Sequence, residues 1–128
     1  MSDKRVVRTE AAPAPFQGAP YSQAIAAGGF LFVSGQLGLR PGDTLISGTI
    51  QEQTEQTFAN LKAILEAAGT SLERLVKTTV FLQNLDDFQA MNEVYARYVG
   101  DQPPARATVE VAQLPSGALV EIEAVAQL

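Results

Sequence analysis

Few side chains in this chain can carry chemistry, because it contains no His and no Cys. Thiolate nucleophiles, Ser-His and Cys-His triads and the usual zinc sites are thereby excluded. Proton transfer must use Glu, Asp, Lys, Tyr or a water held by them. No carboxylates cluster at the spacing of a Mg or Ca site, so no metal is expected. Two segments concentrate the candidates. In Ala105 to Val111, Arg106, Thr108 and Glu110 alternate with Ala107, Val109 and Val111. In Val120 to Gln127, Glu121, Glu123 and Val125 alternate with Val120, Ile122, Ala124 and Ala126. A planar guanidinium can hold a carboxylate through two parallel hydrogen bonds, although Arg106 read alone is equally a surface arginine on an edge strand. A glutamate can aim a water and take its proton, or it can be a solvated strand residue. Spacing does not choose between Glu121 and Glu123, which point to the same face. Lys77 would form a Schiff base only if desolvated, and it is read as a surface or interface charge.

The elements that must position these residues follow from periodicity. Lys4 to Arg8 reads as a short strand, and Ala11 to Pro20, rich in Pro, as an irregular loop. Tyr21 to Ala27 and Phe30 to Gln36 form a hairpin across Gly28-Gly29. After the Arg40-Pro41-Gly42-Asp43 turn, a helix starts near Thr49, where Thr49 and Glu52 have capping-box spacing. Thr54, Phe58, Leu61, Leu65 and Ala68 mark its buried stripe, and Gly69 ends it. Ser71 to Leu75 turns into a strand over Val76 to Leu82. A second helix runs from Asp87 to Val99, capped by Asp86 with Gln89, and places Phe88, Met91, Val94, Tyr95 and Tyr98 on one side. Gly100 and Pro103-Pro104 stop it. Leu114 to Gly117 links the last two strands.

The order β, β, β, α, β, α, β, β specifies an α+β fold, a two-layer sandwich of about six strands with two helices on one face. The apolar sides of the last two strands are expected beneath the helices. Arg106, Thr108, Glu121, Glu123 and Val125 would then share the uncovered face. A face mixing charge with apolar residues is either wet or covered by another subunit, and exposed sheet edges favour a partner.

The length, 128 residues, is that of one domain, expected to span 1–128. With 46% apolar and 18% charged residues the chain is globular. Its net charge of -5 and lack of any Lys/Arg run make nucleic acid a poor partner. Met1 to Glu10 is polar and lacks a signal-peptide core, and no stretch is long and apolar enough for a membrane span. A cytoplasmic protein is expected.

Four segments together resemble one family. They are Gly18-Ala19-Pro20-Tyr21-Ser22-Gln23-Ala24-Ile25; Val33-Ser34-Gly35-Gln36; Lys77-Thr78-Thr79-Val80-Phe81 with Asp87-Phe88 and Met91-Asn92; and Pro104-Ala105-Arg106 with Leu114-Pro115 and Val120-Glu121-Ile122-Glu123-Ala124. In this order and spacing they are similar to the Rid family, also called YjgF, of reactive-intermediate deaminases. The resemblance runs from about Ala11 to the end.

It implies a chorismate-mutase-like fold and a homotrimer with clefts between subunits. It also implies hydrolysis of 2-imino acids, such as 2-iminopropanoate and 2-iminobutanoate, and of their enamine tautomers, to 2-keto acids and ammonia, with no cofactor. By resemblance, Arg106 binds the substrate carboxylate and Glu121 is the acid/base. Tyr21, Ser34, Gly35, Asn92 and Thr108 line the cleft, with backbone groups near Gly35 and Thr108 as donors and acceptors. Four of these have a plainer reading: Tyr21 closing the core, Ser34 satisfying backbone, Gly35 marking a bulge, Asn92 facing solvent. The chain departs from the common pattern at Ala107, where Ser is usual, at Thr108, where many members have Cys, and at Pro103, where Phe is common. These departures bear on the size of accepted side chain. The alternatives are a small-carboxylate-binding or regulatory trimer without turnover, a ribonuclease, and a pathway-specific aminoacrylate or imine hydrolase.

Overall fold

The structure, a computed structural model, describes residues 3–128; Met1 and Ser2, which open the polar stretch noted above, lie outside it. Its elements are β1 (Arg5–Val7), β2 (Ala24–Ala27), β3 (Phe30–Leu37), α1 (Ile50–Ala67), β4 (Leu75–Leu82), α2 (Phe88–Val99), β5 (Ala105–Glu110) and β6 (Val120–Gln127). The six strands form one sheet in the order β1-β2-β3-β6-β4-β5. β5 runs parallel to β4, and the other neighbours pair antiparallel. This is the α+β sandwich expected from the sequence.

α1 begins as its sequence specifies. The Thr49 hydroxyl accepts from Glu52 N–H (3.1 Å), and the Glu52 carboxylate accepts from Thr49 N–H (2.9 Å). Gly69 follows the helix at φ +85°, the left-handed cap position. Phe58, Leu61, Ile64 and Leu65 are fully buried against the sheet. Each such side chain contributes about 1.5–3 kcal/mol through removal of apolar surface from water.

Two boundaries differ from expectation. The cap of α2 is not built by Asp86 and Gln89. Asn84 accepts from Asp86 N–H (2.9 Å) and opens a 3-10 turn, Leu85–Asp87, that feeds the helix, and Asp87 at the N-cap makes no side-chain cap bond. β2 starts at Ala24, because Gln23 is committed to the preceding loop. Its buried side-chain amide donates to the carbonyls of Thr9, Ala12 and Pro13 and accepts from Thr9 N–H.

The larger correction concerns faces. β6 behaves as expected, with Val120, Ile122, Ala124 and Ala126 buried beneath the helices. β5 does the reverse. Its register sets Arg106 beside Thr78 and Thr108 beside Val80. Thr78 and Val80 are fully buried, and the Thr78 hydroxyl is 2.6 Å from that of Tyr95 on α2. Arg106 and Thr108 therefore lie on the helix side. Ala107 and Val109 face away beside Thr79 and Phe81, and Val109 is 43% exposed. Glu121 and Glu123, paired with Phe81 and Thr79, share that open face. Arg106 and Glu121 of one chain are thus on opposite faces. Alternation in β5 misleads because this edge strand is not roofed by helix along its length. A parallel neighbour, not burial, fixes which side is which.

One glycine is required by close approach. A Cβ on Gly38, just past β3, would come within 2.7 Å of Gln53 Cα and 2.9 Å of Gln53 O on α1. Backbone cannot give way as a flexible side-chain tip can. Gly38→Ala is expected to destabilise the fold by about 1–3 kcal/mol, the usual cost of overpacking. Urea unfolding would read this as a lower midpoint at unchanged m. An unchanged midpoint would mean that α1 is free to shift.

Candidate active site

Glu121 sits in a pocket of about 410 Å³, with Phe16, Ala19, Tyr21, Ser34 and Gly35 among its walls. A bulge in β3 makes it. Val33 pairs with Ala124 and Gln36 with Ile122, so Ser34 and Gly35 together oppose Glu123 alone. Ser34 is held on both sides: its N–H donates to Gln23 O (2.9 Å) and its hydroxyl to Ser22 O (2.6 Å). The Tyr21 hydroxyl accepts from Phe16 N–H (2.5 Å), so Tyr21 braces the 15–19 turn and, at 42% exposed, does not close the core. Two non-glycine residues adopt left-handed backbone, Gln17 (φ 54°) and Ser116 (φ 52°). Their neighbours Phe16 and Pro115 both line the pocket, the kind of place where backbone strain collects. Beneath it, Leu37, Leu39, Leu114 and Ala118 form a small second core.

The Glu121 carboxyl is shifted upward from the ordinary glutamate range. Burial disfavours its charged form, and the nearby Glu123 carboxylate adds to the effect. A carboxyl shifted this way holds its proton more readily than an ordinary glutamate, which suits a group that must both give and take one. Tyr21 stands on the pocket wall; Lys77 lies farther along the same sheet face, paired with Val125, and its Nζ donates to Thr79 Oγ1 (2.9 Å). Glu123→Gln removes the neighbouring charge and leaves burial intact. The Glu121 titration midpoint is expected to fall and still to stay above the ordinary range. Carboxyl-carbon NMR against pH measures this directly, and an unmoved midpoint would exclude Glu123 as a cause.

Arg106 belongs to a separate cluster. Its guanidinium lies over the rings of Tyr95 (4.7 Å to the centroid) and Phe88 (5.5 Å), both on α2. No residue among those described accepts a hydrogen bond from it, and it joins no ion pair. Asn92 stands between Phe88 and Tyr95 on the same side of α2, and Thr108 lies two residues along β5. Asn92 Oδ1 and Thr108 Oγ1 are buried without hydrogen-bond partners among the described residues. Buried oxygens in that state cost about 1–3 kcal/mol each until a donor arrives. A planar cation beside unpartnered oxygens suits a small carboxylate that also carries N–H groups.

The candidates therefore divide. Tyr21, Ser34, Gly35 and Glu121 converge in the open-face pocket, while Asn92, Arg106 and Thr108 gather at the edge of the helix side. β4 lies between β6 and β5, so the groups are separated by two strand spacings, roughly 10 Å, and by the sheet itself. The sequence puts Phe88 and Tyr95 on one side of α2, and nothing in their spacing marks them as a platform for Arg106. It also missed Phe16 and Ala19 as walls. A second cavity of about 420 Å³ adjoins Tyr21 near Val6 to Glu10. Its charged groups, Arg8 and Glu10, are exposed, so it desolvates nothing for chemistry. Among the described residues, no group of acidic side chains converges as a metal site, and no helix is long and apolar enough to cross a membrane.

Comparison with known proteins gives a consistent result. The sequence profile of the family described as Endoribonuclease L-PSP matches residues 9–128. A RutC family protein of Pyrococcus horikoshii is 52% identical over 124 residues, covering 96% of this chain and 97% of its own. The 2-iminobutanoate/2-iminopropanoate deaminase of Homo sapiens is 43% identical over 124 residues, covering 96% and 89%. The crystal structure of RidA from an Antarctic Psychrobacter superposes with a TM-score of 0.91 at 43% identity, covering 97% and 99%.

Proposed function

The chain belongs to the Endoribonuclease L-PSP family, the YjgF/Rid proteins, and from that premise we propose that it hydrolyses 2-imino acids and their enamine tautomers to 2-keto acids and ammonia. The observation that carries this reading is the half-buried Glu121, its carboxyl shifted upward, in a pocket of a chain that contains no His and no Cys.

In this reading the residues take the following roles. Arg106 grips the substrate carboxylate with two hydrogen bonds, and Asn92 and Thr108 accept from its nitrogen or from water. Protonated Glu121 gives its proton to the imine nitrogen. The resulting carboxylate takes a proton from water as the water oxygen bonds to the imine carbon. Glu121 then protonates the amine of the carbinolamine. The C–N bond breaks, ammonia leaves, and the hydroxyl proton returns to Glu121 as the keto group forms. The cycle consumes one water and leaves Glu121 as it began.

Because Arg106 and Glu121 of one chain occupy opposite faces, a single substrate reaches both only if they come from different copies. This supports a site between subunits of a homo-oligomer, a homotrimer in our reading. Val109, Phe30 and Phe32, which are 43%, 40% and 49% exposed, are apolar surface for such contact.

The test is release of ammonia or keto acid from freshly generated 2-iminopropanoate and 2-iminobutanoate. Acceleration by the native protein supports the reading. No acceleration by the folded oligomer overturns it in favour of a carboxylate-binding role. The family's description also raises RNA cleavage. The net charge of -5 and absence of His count against it, and a lack of RNA binding even at low salt would dispose of it.

A further inference from the structure

Gly35 has no conformational reason to be glycine. Its φ lies outside the left-handed range that excludes side chains, unlike Gly28, Gly29 or Gly69. The bulge it shares with Ser34 is a conformation that other residues adopt. Its surroundings differ in kind from those of the turn glycines, which have open space where a side chain would go. The three atoms nearest to a Cβ built on Gly35 all belong to Glu121. That Cβ would overlap the carboxylate Oε2, lie 2.9 Å from Cδ and reach 3.1 Å from Cγ.

We propose that Gly35 is a positioning residue whose missing side chain forms the berth for the Glu121 carboxylate. The carboxylate lies folded down across the Gly35 backbone, between the bulge of β3 and the neighbouring β6. There it is half-buried and points into the pocket beside Tyr21. Any side chain at position 35 lifts it away from that place and towards solvent. The role is distinct from close approach of the Gly35 backbone to a ligand, because it operates with no ligand present. The catalytic consequence rests on the reading of Glu121 given above; the steric coupling does not.

A double-mutant cycle separates these cases, because non-additivity measures the contact itself. Four oligomeric proteins are compared: native, Gly35→Ala, Glu121→Ala, and the double variant. In the native background, Gly35→Ala is expected to lower Tm by several degrees and to reduce imine turnover about 100-fold, as ångström-scale misplacement of a reacting group does. In the Glu121→Ala background the obstructing atoms are gone. The same substitution then leaves Tm unchanged or raises it, since Gly→Ala at a compatible backbone restricts the unfolded chain.

An equal Tm loss in both backgrounds would overturn the proposal and make Gly35 a backbone requirement. Lost turnover with no Tm change in either background would also overturn it and assign Gly35 to ligand approach. If the native protein proves inactive on imines, the Tm cycle still decides the berth, and only the functional reading fails. Should Gly35→Ala fail to assemble alone while the double variant assembles normally, the coupling is demonstrated in its strongest form.

Discussion

Arg106→Ala and Glu121→Ala proteins, each nearly inactive alone, are expected to recover about one quarter of native activity when unfolded together and reassembled as a mixture. The loss in each homo-oligomer is large. Removing a bidentate charge-assisted grip forfeits about 3–5 kcal/mol, or roughly 150- to 5,000-fold in kcat/KM. Removing a general acid/base costs about 100- to 10,000-fold. Recovery on mixing follows from the sheet. Within one chain the two side chains lie on opposite faces, so under the proposed function each site draws Arg106 from one copy and Glu121 from another. In a random mixture, half the sites receive a good arginine and half of those a good glutamate, whatever the ring size. Were both residues to serve a site within one chain, mixing would recover nothing. Ligand binding by the same variants tests the rival role. A protein that only binds small carboxylates has no use for a glutamate in its pocket. Glu121→Ala that still binds 2-ketobutyrate but no longer turns over imines therefore favours the enzyme.

Glu121→Gln is expected to abolish turnover and, at neutral pH, to raise stability. A carboxyl whose pKa is higher folded than unfolded holds its proton more tightly in the folded state. Its contribution to stability is complete below the ordinary glutamate range and is lost as pH rises through the window up to its raised folded value. Glutamine keeps the shape and cannot ionise, so it escapes that loss. The Tm difference between Glu121→Gln and native protein should be smallest in acid, grow across this window and level off above it. An Arg106 supplied by a neighbouring copy acts in the opposite sense, so the comparison is cleanest in the Arg106→Ala background. A difference independent of pH would show that Glu121 is not desolvated in the assembly. Stability withheld at a catalytic group is a common trade, since the site is arranged for reaction and not for the resting fold.

Local physics accounts for what is legible in the sequence. The Thr49–Glu52 box and the Phe58, Leu61, Leu65 stripe fix α1, because capping and period 3.6 involve residues within one or two turns. The Gly-Gly hairpin and the alternation of β6 follow for the same reason. The absence of His and Cys leaves Glu, Asp, Lys and Tyr for proton transfer whatever the fold, and the four-segment resemblance chooses Glu121 over Glu123. Tertiary structure alone decided the rest. Alternation states that Arg106 and Ala107 point opposite ways, but only the parallel pairing with β4 states which way is up. That pairing puts Arg106 on Phe88 and Tyr95, and so divides the candidate site into two half-sites. Nor does the sequence say why two of the glycines are glycine. Gly35 reads as a bulge or a cleft position, and nothing marks Gly38. Their need to be glycine lies in Glu121 and Gln53, 86 and 15 residues away, which only folding brings within reach.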